Sequence, residues 1–370
     1  MMVKDPVCGM EVISTFSDPW RSALPERYGL GSRGSPEPGL WGIILGGGDG
    51  ERFKELSVRL YGYPRSKQYC AIIGTRSMIQ HTLDRAKFLI PPERIVVVVN
   101  RDHDKEVREQ LAGRPPGTVL FQPRNRDTAT GVLLPLTWIA RQDSDATVVI
   151  LPSDHFILEE GRFMAYVLWA KRLVDREPGL CILLGMDAEA PETGYGWIEP
   201  GGGSQTGGAE EVKSFYEKPD LALAEELYIK GCLWNTLVLV SKAQTLLSMY
   251  KSHLWDLHDR FQQIAPFLGT PEERKVLDEA YASMPAVNIS SGLLQKNPPN
   301  LRTLRVSGVL WSDWGSPTRV CQTLERLGKL PELTERLERR GRDPQTSLRE
   351  PGTSTWMQIS GPSRMSCLIR

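Results

Sequence analysis

Long apolar runs are missing from this 370-residue chain. None approaches the roughly 20 residues that cross a bilayer, and the N-terminus has no apolar core of the kind that marks a signal peptide. A cytoplasmic protein without a membrane partner is the expectation. Cysteine is sparse and scattered: Cys8, Cys70, Cys181, Cys232, Cys321 and Cys367 include no Cys-x-x-Cys pair. That excludes a disulfide framework and a zinc site built on paired thiols, and leaves reduced thiols. An excess of either charge is also missing, with 45 Lys+Arg against 45 Asp+Glu, so nothing favours nucleic acid or an anionic surface as partner.

Glycine, in contrast, is concentrated where it matters. The stretch Trp41 to Tyr69, WGIILGGGDGERFKELSVRLYGYPRSKQY, begins with an apolar run too short for a helix, which reads as a buried parallel strand. It ends in Gly46, Gly47, Gly48 and Gly50, which leave backbone N–H groups free to converge on an oxyanion. Arg52 and Lys67 supply cations. A Walker loop is excluded because no Lys-Ser or Lys-Thr follows at the required spacing. A dinucleotide fingerprint is excluded because its third glycine slot holds Glu51 or Phe53. A ligand-free strand-to-helix turn is the plainer alternative.

Downstream, apolar runs at 95–99, 119–121, 147–151 and 180–184 alternate with segments of helical period at 79–90, 103–111 and 163–173. This predicts an α/β fold with a doubly wound, mostly parallel sheet, whose ligands sit beyond the carboxyl ends of the strands. Residues 1–39, rich in Gly, Pro and Ser, predict a flexible arm, and 342–370 a disordered tail after helices at 320–327 and 330–337. The main domain spans 40–330, and 331–370 hold the terminal helix and tail. Residues 241–284 predict a helical cap over the substrate half. Asp127 or Thr128 fits a helix cap, and Asp154, beyond the 147–151 strand, fits either a turn or a Mg²⁺ ligand.

Taken together, GGGDGERF and SKQY resemble the signature of the sugar-1-phosphate nucleotidyltransferases, especially the mannose-1-phosphate guanylyltransferases. So do QPRNRDTATG (Gln122 to Gly131), Pro152-Ser153-Asp154-His155, Thr193-Gly194-Tyr195-Gly196-Trp197-Ile198, Glu217-Lys218-Pro219, Leu233-Trp234-Asn235-Thr236 and Trp311-Ser312-Asp313-Trp314-Gly315-Ser316. The likeness runs from Trp41 to Leu327. Departures are Glu55 where the family has Pro, two residues between Pro64 and Lys67, Asp127 in place of Asn, Thr130-Gly131 in place of Pro-Ala, and Leu237-Val238 in place of a Gly.

The resemblance implies a Rossmann-like nucleotidyltransferase fold with a sugar-binding α+β half. It implies Mg²⁺-dependent transfer of a nucleotidyl group, GMP first, from a nucleoside triphosphate to a hexose 1-phosphate, mannose 1-phosphate first. Arg52, Lys67 and Lys218 then act on the phosphates. Gly46, Gly47, Gly48, Gly50, Asn125 and Thr128 bind the nucleotide, and Gly196, Glu217 and Asn235 the sugar, with Tyr195 or Trp197 as a wall. Asp154 and Asp313 hold Mg²⁺, with His155 as structural support. Asp127 and Thr130 leave open uridylyl or thymidylyl transfer to glucose 1-phosphate, and a non-catalytic relative that binds nucleotide sugars is a further alternative. A homo-oligomer stays open but without the family's usual contact, since neither the left-handed β-helix nor the isomerase domain of many relatives has room here. Asp5 to Val12, DPVCGMEV, resembles the start of a YHS module, without the ligands for a metal.

Overall fold

Ile95–Asn100 (β4) is buried at every residue, as only a strand covered on both faces can be. The computed structural model describes residues 2–4, 11–13, 36–202 and 207–341. Two short strands, β1 (Met2–Lys4) and β2 (Glu11–Ile13), pair antiparallel. They lie within the segment expected to be a flexible arm; three-residue strands are too short to show a period in sequence. Residues 1, 5–10 and 14–35, with Cys8, lie outside the described residues, as does the tail from 342 onward.

In chain order the first half continues with β3 (Leu40–Leu45), α1 (Lys54–Tyr61), α2 (Met78–Ala86), β4, α3 (Asp104–Leu111), β5 (Val119–Gln122), α4 (Asp127–Gln142), β6 (Thr147–Pro152), β7 (Phe156–Ile157) and α5 (Glu160–Arg176). The second half adds β8 (Cys181–Asp187), β9 (Gly196–Pro200), β10 (Glu210–Glu217), α6 (Leu221–Ile229), β11 (Leu233–Lys242), α7 (Ala243–His253), α8 (Trp255–Ile264), α9 (Glu273–Ser283), α10 (Ile289–Gly292), β12 (Leu301–Val306), β13 (Trp311–Ser312), α11 (Pro317–Arg326) and α12 (Leu330–Gly341).

Among the described residues the main sheet has nine strands in the order β5-β4-β3-β6-β11-β8-β12-β10-β9. The first four are parallel. Beyond β6 the sheet is mixed, with β11 antiparallel to both β6 and β8, and β12 parallel to β8. These directions set the site. Strands β3, β4, β5, β6, β8 and β12 all end at one edge, where β11, running the other way, begins.

Helices α2, α3, α5 and α6 cover one face of the sheet, and α4 with α7 to α10 the other. The helical region 241–284 is therefore no cap over the substrate half: α7 and α8 pack on α4. The cause is α4 itself, whose Val132, Leu133, Leu134, Leu136 and Ile139 are all buried and need cover on more than the sheet side. Each such Leu or Ile contributes roughly 1.5–3 kcal/mol on leaving water. A third core joins α1, α11 and α12 through Phe53, Leu56, Val320, Leu324, Leu333 and Leu337. Arg336 of α12 donates to the carbonyls of Ile72 and Ala71, so the terminal helix backs the segment just past Lys67. Cys70, Cys181, Cys232 and Cys321 are buried free thiols.

Between α2 and α5 lies a buried ion pair. Arg85 Nη1 donates to Glu160 Oε1 at 2.9 Å and Nη2 to Thr82 Oγ1 at 2.9 Å, with both charged side chains at least 93% removed from solvent. Removing one member strands a charge, whereas replacing both by apolar groups does not. Arg85→Met should lower unfolding stability by about 3–5 kcal/mol in urea titrations, and Arg85→Met/Glu160→Met should recover most of it.

Candidate active site

Gly46 still belongs to the sheet, its N–H donating to Val98 O at 2.8 Å. The loop beyond it is held by its carbonyls. Gln68 Nε2 donates to Gly46 O and Gly48 O, both at 2.8 Å, and Asn100 Nδ2 to Gly47 O at 2.8 Å. Gln122 in turn fixes Asn100, donating to its Oδ1 at 2.7 Å. With the carbonyls tied back, the N–H groups of Gly47, Gly48, Asp49 and Gly50 make no hydrogen bond among the described residues, the state an anion cradle requires. Gly50 has φ +67°, and a Cβ there would lie 2.9 Å from Lys67 N.

Beyond the strand ends is a cavity of ≈ 300 Å³. It is lined by Gly48, Arg52, Lys67, Thr128, Asp154, Gly196, Glu217, Lys218, Asn235 and Asp313 of the sequence-predicted set. Gly46, Gly47, Gly50 and Asn125 are not on its wall. The first three shape the loop from behind, and Asn125 Nδ2 holds Asp49 Oδ2 at 2.9 Å. Tyr195 lines the cavity, whereas Trp197 is fully buried in the core; the wall is Tyr195, packed on Trp234 and Trp311 at ring distances of 5.0 and 5.1 Å.

Lys67 is the central cation. Its side chain is 8% exposed, and Nζ lies 2.7 Å from Asp154 Oδ2, 2.6 Å from Asp313 O and 3.3 Å from Trp314 O. Burial pushes the Asp154 carboxyl up, but its neighbours, the Lys67 ammonium foremost, together more than reverse this and hold it below the usual carboxylate range. Burial also drives the His155 imidazole down, so it stays neutral, edge-on to Trp311. Arg52 is exposed and free of ion pairs among the described residues. Lys218, half exposed, reaches Glu217 Oε1 at 3.5 Å.

Several groups were not visible in the sequence. Residues 287–290 dock on the start of α4: Ala129 N donates to Val287 O, and Ile289 N to Thr128 Oγ1, each at 2.9 Å. This brings Asn288 and Ser290 to the cavity wall. No motif marks them. Arg319, six residues beyond Asp313, donates to both of its carboxylate oxygens, and no motif marks it either. Among the described residues no three His, Cys, Asp or Glu side chains converge as a ready metal cluster. For a hard divalent ion, Asp154 offers Oδ1, 3.9 Å from His155 Nε2, while its Oδ2 is paired with Lys67. The Asp313 carboxylate fits poorly, because Arg319 and Gly315 N already bond it.

Backbone strain gathers here as well. Of the five non-glycine residues with positive φ among those described, Lys218 and Leu237 line the cavity, Asp127 adjoins Thr128, and Trp314 sits between Asp313 and Gly315. Such residues persist where the surroundings over-determine them, typically at functional sites.

The family description nucleotidyl transferase matches residues 41–325. Xanthan biosynthesis protein XanB of Xanthomonas campestris pv. campestris (strain B100) is 31% identical over 291 residues, covering 78% of this chain and 60% of that protein. A mannose-1-phosphate guanylyltransferase of Escherichia coli (strain K12) is 29% identical over 287 residues, covering 75% of this chain and 58% of its own length. The chain thus spans less than two thirds of these relatives. The crystal structure of mannose-1-phosphate geranyltransferase from Thermus thermophilus superposes with a TM-score of 0.66 at 27% identity, over 78% of this chain and 79% of that one.

Gly48 and Gly50 separate binding from stability. A Cβ at Gly48 meets nothing within 4 Å, so Gly48→Ala should leave the urea midpoint unchanged while weakening nucleoside triphosphate binding by calorimetry. Gly50→Ala should lower stability by about 1–2 kcal/mol for its left-handed backbone and more for the push against Lys67.

Proposed function

The chain belongs to the nucleotidyl transferase family, and from that premise we propose that it transfers a nucleotidyl group from a nucleoside triphosphate to a hexose 1-phosphate, with GTP and mannose 1-phosphate as the pair. The observation that carries this is one cavity bounded by cations from both halves of the chain, Arg52 and Lys67 on one side and Lys218 on the other. A single phosphate ester needs no such breadth. Two anionic substrates meeting end to end do.

In the proposed reaction an oxygen of the sugar phosphate attacks the α-phosphorus, the bond from that phosphorus to the bridging oxygen breaks, and pyrophosphate leaves with the electron pair. Catalysis is then positioning and charge neutralisation. The loop N–H groups and Arg52 hold the departing pyrophosphate, Lys67 faces the α-phosphate, and Lys218 the attacking phosphate. Glu217 and the Asn235 amide, with backbone at Gly196, accept and donate to the sugar hydroxyls. A Cβ at Gly196 would lie 2.9 Å from Glu217 Oε2, so the sugar edge is built for close approach. Guanine is supported by the likeness to the Escherichia coli relative, and Thr128 and Asn288, both on the cavity wall, are the groups proposed to meet the base. Mg²⁺, when bound, neutralises phosphate charge, and Asp154 is the residue that suits it.

The engagement of Lys67 with Asp154 also favours a second reading, a relative that binds nucleotide sugars without turning them over. Pyrophosphate release across the nucleoside triphosphates and several hexose 1-phosphates distinguishes the two. The expected result is turnover with GTP and mannose 1-phosphate, reduced on the order of 10²–10³-fold in Lys67→Met, as for loss of one charge-stabilising donor, and lost in Asp154→Ala. Binding without turnover for every pair would overturn the transferase reading.

A further inference from the structure

Arg319 is a tightly held cation beside the cavity that the proposed reaction does not use. Its Nη1 donates to Asp313 Oδ1 at 3.0 Å and Oδ2 at 3.2 Å, and its Nη2 to Glu192 Oε2 at 2.9 Å. The guanidinium carbon lies 4.2 Å from the centre of the Tyr195 ring. The slot exists because two neighbours lack side chains: a Cβ on Gly194 would strike Nη2, and one on Gly315 would come 3.0 Å from Nη1. The side chain is 14% exposed. It is anchored from α11, whose first turn is capped by Ser316 Oγ accepting from Arg319 N.

Three segments therefore meet on one guanidinium: the 313–315 turn, the 192–196 loop that walls the sugar end, and α11. Asp313 receives two cations, Arg319 on its carboxylate and Lys67 on its carbonyl. Gly315 N is a third donor, at 2.7 Å to Oδ1. A planar fork satisfies Asp313 and Glu192 together in a way a point charge does not, and a divalent ion approaching the Asp313 carboxylate meets a fixed positive charge about 3 Å away.

We infer that Arg319 is a positioning residue that claims the Asp313 carboxylate and ties the 192–196 loop to it, so that a divalent ion is held through Asp154 and gains Asp313 only by displacing Arg319. In this chain, part of the positive charge at the sugar end is built into the protein. The inference deepens the proposed function by assigning how that same site divides its cations, but its central test needs no turnover.

The test is Mn²⁺ binding to the full-length chain without substrate, read by electron paramagnetic resonance, with circular dichroism confirming the fold. Arg319→Met should bind Mn²⁺ about tenfold or more tightly than the parent, as expected when a charge-assisted competitor leaves the carboxylate. Arg319→Met/Asp313→Asn should lose that gain. Arg319→Lys, which keeps the stem and a charge, should fall between and covers the case in which the Met variant does not fold. Unchanged or weaker Mn²⁺ binding in the folded single variants, including no binding in any of them, would overturn the inference. In steady-state assays Arg319→Met should raise KM for the hexose 1-phosphate while leaving KM for the nucleotide alone. Absence of turnover in the parent would count against the proposed function, and the Mn²⁺ result would still decide the role of Arg319.

Discussion

A buried ammonium must be compensated on every side, and Lys67 is compensated by the ends of other strands. Its partners are Asp154, just past β6, and the carbonyls of Asp313 and Trp314, past β13. Isolated, such a charge would be driven neutral or out to water. Held this way, it fixes three chain segments at a single point beyond the sheet edge. Gly50 must be glycine for the loop to pass beside the Lys67 backbone, and Trp314 takes a positive φ to turn its carbonyl toward the same ammonium. The cavity takes its shape from that closure.

The sheet supplies the rigidity that makes the closure possible. The parallel strands β3, β4 and β6 are buried along most of their length and present their ends in register, so the loops after them start from fixed positions. Strain gathers at the rim. Leu237 adopts φ +58° where β11 shifts register between Asn235 and Leu239, and that bulge leaves Asn235 Oδ1 accepting from Leu237 N at 3.0 Å. A branched side chain in this conformation costs roughly 1–2 kcal/mol, which the flanking ladder pairs absorb.

Legibility in the sequence followed the kind of signal each part carries. The strands at 40–45, 95–100 and 147–152 were plain because burial on both faces leaves unbroken apolar runs. The motifs at Lys67, Asp154, Glu217, Asn235 and Asp313 were legible as groups in order, and the structure brings all five to one cavity. Leu301–Val306 was not read as a strand because Arg302 and Arg305 interrupt it, although both lie at partly exposed positions of an otherwise buried ladder. The packing of α7 to α9 was misplaced because a helix's apolar face shows that it is covered, not by what. Arg319 and Asn288 act through contacts across the chain, and nothing local announces such a partner.

In the proposed reaction two phosphorylated substrates meet directly in the cavity between Arg52, Lys67 and Lys218, with no covalent relay through a side chain. The stereochemical course at the α-phosphorus tests this most directly, using a chiral α-thio analogue of the nucleoside triphosphate with the hexose 1-phosphate and following the product by phosphorus NMR. Direct in-line displacement predicts inversion at the α-phosphorus. Retention would reveal an intermediate on the enzyme and contradict the account.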